Sequence, residues 1–395
     1  MAERIYFDHS ATTPLDPRVA AAMQMLHGEV FGNPSSLHAE GRQARALVDE
    51  ARTQVAALLG AASSEIVFTA SGTEADNLAL LGTFRSFKEP GHLITSSIEH
   101  PAIVETCRFL EQNGVQVTYL PVDEFGIVDP NDLARAFRPS TRLVSVMAAN
   151  NVVGSLQPVA ELARITKAYG AWFHTDAVQS TGKVPLDVRR IPVDMLSMSA
   201  HKLHGPKGIG ALYVRRGVSL QPVIFGGGQE RGLRSATENV AAIVGFGAAA
   251  ELAQADMADE AVRLVHLRER LLNGLRDVLP EAYLIGHPFK RLPGHLCLGF
   301  SGREGEAIKL LLALDEAGIA VSSGSACSAH HASEPSHVLV AMGFDPIRAR
   351  GGLRVTLGRF NTEEEVDRFL QIVPQVVESL RPVASYAGLA LQGDR

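Results

Sequence analysis

The chain has 395 residues, 46% of them hydrophobic and 20% charged, which is typical of a folded globular protein and too long for one ordinary hydrophobic core. Its 37 Lys and Arg residues and 43 Asp and Glu residues give a formal net charge of −6, and no basic block stands out, so we expect no nucleic-acid partner. The uncharged stretch 143–160 is interrupted by polar residues and a proline, and the N-terminal residues lack an apolar signal core. We therefore expect no membrane span and a cytoplasmic location.

Strand-like and helix-like segments alternate through the first half of the chain. Short runs rich in apolar and β-branched residues predict strands over 65–69, 92–97, 115–120, 142–148, 171–176, 194–199 and 209–214. Helices are predicted to begin at Pro17, Pro101 and Pro158, each ending at or before a glycine, and Ser71 and Glu74 have the spacing of a capping box. This order predicts an α/β domain with a mostly parallel seven-stranded sheet, helices on both faces, and ligands at the carboxyl ends of the strands.

The pattern changes after about residue 240. Helices are predicted over 239–255, 259–278 and 304–317, and strands over 294–300, 319–322 and 352–356. A last helix begins at a capping box of Thr362 and Glu365 and contains Pro374. These elements predict a smaller α+β domain. We divide the chain into an N-terminal arm (1–15) that joins the small domain, a large domain (16–255) and a small C-terminal domain (256–395).

Two strand ends carry polar residues that point to a cofactor. The segment AWFHTDAVQSTG ends a strand at Asp176, with Gln179 one turn later, and DMLSMSAHKLHGPKG ends a strand near Ser199, followed by His201 and Lys202. In a parallel sheet both ends open on the same edge. Pyridoxal 5′-phosphate (PLP) requires a lysine that forms a Schiff base, a carboxylate that pairs with the protonated pyridine nitrogen, and polar groups for the ring hydroxyl and the phosphate. We therefore predict that Lys202 carries PLP.

Two helix starts extend the predicted site. The segment FTASGTEADN predicts a helix N-terminus that binds the phosphate, where Gly72 permits close approach of the backbone and Thr73 adds a hydroxyl. His100, in SSIEHPA, is predicted to lie at the same edge of the sheet, where its ring can stack on the pyridine.

A loop with a cysteine lies in the second domain, within AVSSGSACSAHHASEPSH. Its small polar residues are expected to keep the Cys327 thiol exposed, and His330 and His331 either lower the pKa of that thiol or are solvated loop residues. Cys107 and Cys297 stand in apolar runs and are expected to pack in the core. Three cysteines suit a reducing cytosol better than a disulfide framework. A metal site would need more closely spaced Cys and His residues, and a Cys–His hydrolase would leave the predicted PLP site unexplained.

These motifs resemble the cysteine desulfurase family of the NifS/IscS type, whose members have the class V aminotransferase fold. The similarity runs along almost the whole chain, and its most specific stretches are SAHKLHGPKGIGALY and SSGSAC. The other matching stretches are YFDHSATTP, FGNPSSLHAEGR, FTASGTEADNLAL, SSIEHPAI, NNVVGSLQP, HTDAVQSTGK, GGGQERGLRSATEN and LRVTLGRF. The resemblance implies the type I fold of PLP-dependent transferases, PLP as the cofactor, L-cysteine as the substrate and a homodimer.

The resemblance also assigns roles to individual residues. It implies that Asp176 faces the pyridine nitrogen, that Gln179 faces the ring hydroxyl and that His100 stacks on the ring. The implied phosphate ligands are Gly72, Thr73, Ser199, His201 and, reaching into the site of the other subunit, Thr237. Asn151 is implied to lie beside cofactor and substrate, and Asn33 and Arg354 to hold the substrate carboxylate.

The implied reaction converts L-cysteine to L-alanine. Lys202 takes the Cα proton, Cys327 receives the sulfur as a persulfide, and His100 handles a thiol or leaving-group proton. The sulfur then passes to an acceptor protein, for iron–sulfur cluster assembly or another thiolation. Selenocysteine lysis and transamination on the same scaffold are alternatives, and so is a scaffold without catalysis. A transaminase has no need of Cys327, and a scaffold has no need of Lys202 and Asp176.

Three departures from the family pattern stand out. DHSATTP replaces the more usual DNAATTP, which puts His9 in place of asparagine, and NNVVG replaces NNEIG, which puts Val152 in place of an acidic residue. The stretch from Cys327 to Ser336 is one residue longer than usual and carries the two adjacent histidines. The last departure leaves the identity of the sulfur acceptor open.

Overall fold

The computed structural model describes residues 4–24, 26, 28–302, 305–323 and 334–380. The elements up to the end of the large sheet are β1 (Ile5–Tyr6), α1 (Pro17–Gln24), α2 (Ala39–Leu59), β2 (Ile66–Thr69), α3 (Gly72–Arg85), β3 (His92–Ser96), α4 (Pro101–Gln112), β4 (Gln116–Leu120), α5 (Pro130–Ala136), β5 (Thr141–Ser145), α6 (Val159–Ala168), β6 (Trp172–Asp176), β7 (Met195–Ser199) and β8 (Gly210–Val214). The later elements are α7 (Val240–Val278), β9 (Ala282–Ile285), β10 (His295–Phe300), α8 (Ala307–Glu316), β11 (Ile319–Ala320), β12 (Ser322–Ser323), α9 (His337–Ala341), β13 (Leu353–Thr356) and α10 (Glu363–Ser379).

The seven strands predicted for the large domain form one sheet, in the order β2-β8-β7-β6-β5-β3-β4. Strands β3 to β7 pair in parallel, whereas β8 runs antiparallel to both of its neighbours. One face packs Phe173 of β6 with Val55 of α2 and Phe246 of α7, and the opposite face packs against α3 and α4. Helices on both faces explain why these strands are almost continuous apolar runs. The α/β fold and the mostly parallel sheet are confirmed.

The later strands form a second, antiparallel sheet in the order β12-β13-β10-β9. The predicted single strand 319–322 is wrong, because it is divided between two sheets: β11 pairs in parallel with β1, and β12 pairs with β13. Ile5 and Phe7 contribute to the same hydrophobic core as β10, β13 and α10. The N-terminal segment therefore packs with elements from the end of the chain. The exact division into an arm and two domains remains an interpretation.

Helix α7 joins the two cores. The sequence predicts two helices here, but the structure has one continuous helix of 39 residues. Its first part, around Phe246, packs in the core of the large sheet, and its later part, around Leu271, packs in the second core. Of the described helices, α7 alone is long and apolar enough to cross a membrane. Because its apolar residues are buried in both cores, we interpret it as a core helix.

The starts of α3 and α4 are fixed by side-chain caps. The hydroxyl oxygen of Ser71 accepts a hydrogen bond from the N–H of Glu74 at 3.1 Å, as the capping box predicts. The Glu74 carboxylate, however, accepts from the N–H of Ala70 at 2.9 Å rather than from Ser71. At α4, Nδ1 of His100 accepts from the N–H of Ala102 at 3.1 Å. The capping box of Thr362 and Glu365 at α10 is complete. These caps satisfy exposed N–H groups at helix starts and orient α3 and α4 toward the sheet edge.

Candidate active site

The ends of β6 and β7 lie side by side. The two strands pair in parallel, with Asp176 opposite Ser197, and a short 3₁₀ turn from Ala200 to Lys202 continues from β7. Asp176 is 6% exposed, and its carboxylate accepts a hydrogen bond from the N–H of Val178 at 2.9 Å. Burial raises the pKa of Asp176, while the nearby His100 and Lys202 act in the opposite direction. The carboxylate, the imidazole and the lysine that the sequence singles out are thus close enough to interact.

The N-terminal segment connects Lys202 and Gln179. The Lys202 amine donates to the carbonyl oxygens of Ser10 at 2.5 Å and Ala11 at 2.8 Å. The side-chain amide of Gln179 donates to the same Ser10 carbonyl at 2.9 Å. Its other side-chain atom, Oε1, is buried without a hydrogen-bond partner among the described residues. A buried polar atom in that condition is unfavourable unless a ligand completes its hydrogen bonding.

The same N-terminal segment holds the turn that carries His201. Thr13 donates to the His201 carbonyl through its N–H at 3.1 Å and through its hydroxyl at 2.9 Å. Nδ1 of His201 lies 3.1 Å from the Thr12 hydroxyl oxygen. Burial lowers the pKa of His201 to about 4, with further lowering by Lys202, so the ring is neutral at physiological pH. The DHSATTP stretch resembles the family pattern apart from the departure at His9, but its task of positioning the lysine turn is not evident from sequence alone.

Gly72 begins α3 beside Ser199. A Cβ added to Gly72 would lie 2.6 Å from Cγ2 of Val178 and 3.5 Å from Cβ of Ser199. The first distance is too short for any side chain, so glycine is required here. The result is a bare helix N-terminus next to the end of β7, which is a favourable position for a phosphate. Thr73, the next residue, is exposed in this single chain.

One ring nitrogen of His100 accepts a hydrogen bond within the chain, and the other can donate one to a ligand. Since Nδ1 accepts the capping hydrogen bond, the ring proton is on Nε2. The residue is partly exposed and lines an open groove with Thr73, Asn77 and Phe109. The ring can therefore meet a ligand, and Nε2–H is its donor.

A group of buried acids lies behind Asp176, and we call Asp76, Glu99 and Asp176 the acidic cluster. Asp76 is 1% exposed and Glu99 is not exposed at all. Nε2 of the buried His174 is 3.7 Å from Asp76, and this histidine also hydrogen-bonds with Ser145 and Ser197 at 2.9 Å. Burial is the main cause that raises the pKa of all three carboxyl groups, and proximity to Asp176 adds to it for Asp76 and Glu99. Sequence analysis missed Asp76, Glu99 and His174, because their convergence depends on which face of the sheet they share.

Arg354, predicted to bind the substrate carboxylate, joins three parts of the chain. It lies on β13, is 2% exposed, and donates to the carboxylate of Asp8 at 2.8 Å and to the carbonyl of Asn151 at 3.0 Å. Its Nε has no hydrogen-bond partner within the described part of the chain. Arg354 and Asn151 are therefore brought together.

Two predicted residues are not brought to this crevice in the single chain. Asn33 is exposed, and its side-chain oxygen accepts from the N–H of Ser35 at 2.9 Å within its own turn. Thr237 is also exposed and lines a separate groove with Thr69 and Glu230. Their assigned roles remain predictions.

Two of the three cysteines lie within the described residues. Cys107 and Cys297 are fully buried, as expected for packing residues, and burial raises the pKa of Cys297 to about 12. Cys327, His330 and His331 lie outside the described residues.

Two of the three departures from the family pattern have a structural explanation. Val152 is 3% exposed and packs in an apolar cluster with Ile98 and Met147, so this position suits valine. His9 is 4% exposed, and its ring lies against Tyr6, with the centroids 5.1 Å apart.

Known proteins share this architecture over most of the chain. A family model described as aminotransferase class-V matches residues 5–369. The chain belongs to the aminotransferase class-V family. It is 46% identical over 98% of its length, and 98% of the relative's, to a cysteine desulfurase IscS of Dictyoglomus turgidum. A solved structure of a NifS-like protein covers 95% of the chain and is itself covered completely, with 41% identity and a TM-score of 0.89. A structure of SspA in complex with cysteine covers 91% of the chain and is covered completely, with 36% identity and a TM-score of 0.79.

Proposed function

We propose that the chain is a PLP-dependent cysteine desulfurase that converts L-cysteine to L-alanine and passes the sulfur to an acceptor. The observation that carries the proposal is the convergence of Lys202, Asp176 and Gln179 at neighbouring strand ends, in a family member similar along its whole length to cysteine desulfurases. The cysteine bound to the related SspA supports L-cysteine as the substrate.

The residues present fit PLP. Gln179 Oε1 is buried without a partner among the described residues and can accept a hydrogen bond from the ring hydroxyl. The bare start of α3 at Gly72, beside Ser199, suits the phosphate. Asp176 would face the pyridine nitrogen, and His100 would stack on the ring. When bound, PLP supplies an electron sink that stabilises negative charge at the substrate Cα.

Lys202 is the proton-transferring group. Its amine lies against two carbonyl oxygens of the N-terminal segment, which hold it at the edge of the crevice. Once released from the cofactor, a neutral amine in this position takes the proton from the substrate Cα. Asp176, as a carboxylate, favours a protonated pyridine nitrogen on the other side of the site.

Arg354 binds the substrate carboxylate. A guanidinium has five N–H donors, and two of the Arg354 nitrogens already contact Asp8 and the Asn151 carbonyl. These contacts fix the plane of the group, so that Nε–H can donate to a substrate oxygen without reorganisation. Asn33 would contribute a further hydrogen bond.

Cys327 takes the sulfur. Its sulfur forms a bond to the substrate sulfur as the C–S bond breaks, and the bonding electrons stay with the substrate carbon, which gains a proton and becomes the methyl group of alanine. The attacking species is a thiolate, so a base must accept the thiol proton. In this proposal Nε2 of His100, which carries the ring proton, donates the leaving-group proton. The persulfide then passes to an acceptor, for which an iron–sulfur scaffold protein is our proposal.

The proposal includes a cytoplasmic homodimer. The exposed position of Thr237 supports this arrangement, because a residue expected to bind phosphate is left outside the crevice of its own chain. In the dimer Thr237 would reach the phosphate in the other subunit's site.

The decisive experiment compares the parent enzyme with Cys327→Ser and Lys202→Ala. The parent should form alanine and sulfide from L-cysteine in the presence of a thiol reductant. Cys327→Ser should bind PLP normally but release no sulfide, and Lys202→Ala should lose the borohydride-sensitive visible absorbance. Cys107→Ala, which removes a thiol that is buried in the core, serves as the control and should behave like the parent. Sulfide release by Cys327→Ser at the parent rate would contradict the proposal.

A further inference from the structure

We propose that Lys183 is a second lysine of the active site, a positioning residue whose positive charge keeps the amine of Lys202 uncharged. The inference rests on the proposed function, because it concerns the task given there to Lys202. It adds a residue to which the sequence motifs assign no role.

Lys183 and Lys202 line the same cavity. This cavity has a volume of about 60 Å³, enough for one or two water molecules, and lies between the N-terminal segment, the lysine turn and the strands β10 and β13. Lys183 enters it from the turn that follows β6, and it is the fourth residue after Gln179. Ser10, whose carbonyl holds the Lys202 amine, is part of the same wall. We call this the basic cavity.

No acid neutralises Lys183 in the described part of the chain. Its ammonium makes no hydrogen bond or ion pair with a residue that the structure describes. The titratable and charged groups that line the cavity or interact electrostatically with Lys183 are His9, His201, Lys202, His204, Glu260, His295, Arg354 and Arg359. Every one of them except Glu260 is basic.

Glu260, which lines this cavity, and the acids beside the neighbouring arginines already have cationic partners, and Asp176 interacts with Lys202. Glu260 is paired with Arg263 at 2.8 Å, and Asp8 is paired with Arg354 at the same distance. Asp16 is paired with both Arg18 and Arg359. The surrounding histidines add no negative charge, and burial lowers the pKa of each of them. Lys183 and Lys202 therefore share a site in which a proton on one amine disfavours a proton on the other.

The electrostatic surroundings of Lys183 agree with this picture. Burial, and then the positive charges of Lys202 and Arg354, lower the pKa of Lys183 to about 7. The interaction is reciprocal, so near neutral pH a charge on Lys183 disfavours a proton on Lys202, the other amine among the described residues that line the cavity. A neighbouring cation is an established way of keeping a lysine amine neutral, and therefore nucleophilic, at neutral pH.

The test measures the protonation of Lys202 directly. Lysine reactivity toward an amine-acylating reagent is followed against pH in the full chain after removal of the cofactor, with the label at residue 202 quantified by peptide mapping. Lys183→Gln removes the charge at similar length, and Lys183→Arg retains it. Lys207→Gln is the matched control, because it removes an exposed charge five residues beyond Lys202.

In Lys183→Gln the midpoint for Lys202 labelling should move up by about one pH unit, which is a tenfold change in the ratio of charged to neutral amine. Lys183→Arg and Lys207→Gln should stay near the parent midpoint. In the holoenzyme, the acid limb of the kcat profile should move in the same direction for Lys183→Gln. An unchanged labelling midpoint in Lys183→Gln, or an equal change in Lys207→Gln, would overturn the inference. Because labelling uses no substrate, failure of the proposed function would appear separately, as a parent enzyme that makes no alanine from cysteine.

Discussion

The acidic cluster contains Asp176 and the basic cavity is lined by Lys202, and in both places buried groups of like charge lie close together. In the acidic cluster, burial favours the protonated forms of Asp76 and Glu99, so that Glu99 has a pKa of about 8, whereas His100 and Lys202 oppose the effect of burial at Asp176. In the basic cavity, burial makes amines and imidazoles give protons up, so that Lys183 has a pKa of about 7 and His9 one of about 3. In both places, burial is a larger cause of these pKa shifts than ions of opposite charge.

This separation provides what the proposed reaction requires at each end. At one end, His100 and Lys202 favour the ionised form of Asp176, and a carboxylate suits a pyridine nitrogen that must keep its proton. The end with Lys202 is poor in protons and suits an amine that must take one. Folding brings Asp176 of the acidic cluster and Lys202 of the basic cavity to neighbouring strand ends, since Asp176 ends β6 and Lys202 follows β7.

The largest effect is expected from removing charge at the one acid that would touch the ring. Asp176→Asn keeps an oxygen for the Val178 N–H but no longer stabilises a protonated pyridine, so kcat should fall by about 10²–10³-fold. Asp76→Asn, a buried change in the same cluster, should cost about tenfold or less, since Asp76 acts only through its neighbours. Steady-state kinetics with the visible absorbance of bound PLP checks both. Equal losses in the two variants would mean that the cluster acts as a unit and that Asp176 has no special role.

The sequence predicted the acid and the lysine but not the groups around them. Asp176 and Lys202 follow recognisable strands, and all seven of these strands are where periodicity places them. Asp76 lies inside a helix and Lys183 inside a turn, and only the folded sheet brings them to the strand ends. The antiparallel direction of β8 and the pairing of β1 with β11 are likewise contacts between distant segments, which local patterns do not contain.

Other errors have local causes. The predicted break near residue 257 is absent, because exposed polar residues between the two apolar stretches of α7 still favour helix. Helix α2 was not predicted, and its start lacks the usual signals: it is capped by His38, whose Nδ1 accepts from the N–H of Gly41 at 3.3 Å. The roles of Asn33 and Thr237 rest on resemblance alone, and no contact among the described residues of the single chain supports or opposes those roles.

A smaller effect, on the free energy of unfolding, is expected when Glu99 of the acidic cluster is replaced by glutamine. Because the pKa of Glu99 is raised from 4.5 to about 8, the folded chain holds a proton that the unfolded chain releases. Its contribution to stability is complete below about pH 4.5 and is lost as the pH rises through about 8. Glu99→Gln keeps an acceptor for Ser96 and Met147, so it should be less sensitive to pH and more stable than the parent by about 1–3 kcal/mol at pH 8.5.

Urea unfolding at pH 5.5 and 8.5 measures this difference. Glu105→Gln, a change on the exposed face of helix α4, which begins just after Glu99, is the control and should leave the pH dependence as it is in the parent. If Glu99→Gln and the parent lose stability in parallel as the pH rises, Glu99 is ionised in the folded chain and the description of the acidic cluster is wrong.

The smallest expected effect concerns the basic cavity, where stability should fall as the pH is lowered rather than raised. Burial, followed by His204 and Lys183, lowers the pKa of His9 from 6.5 to about 3. The stability that neutral His9 provides is therefore present above about pH 6.5 and is lost as the pH falls through about 3. His9→Asn installs the more usual family residue. It should cost about 0.5–1.5 kcal/mol at pH 7.5, where the contact with Tyr6 is lost, and this deficit should shrink or reverse at pH 4. Thermal unfolding at the two pH values measures this deficit, and the exposed His266→Asn is the control. A deficit of the same size at both pH values would show that His9 does not resist protonation and that the cavity tolerates positive charge.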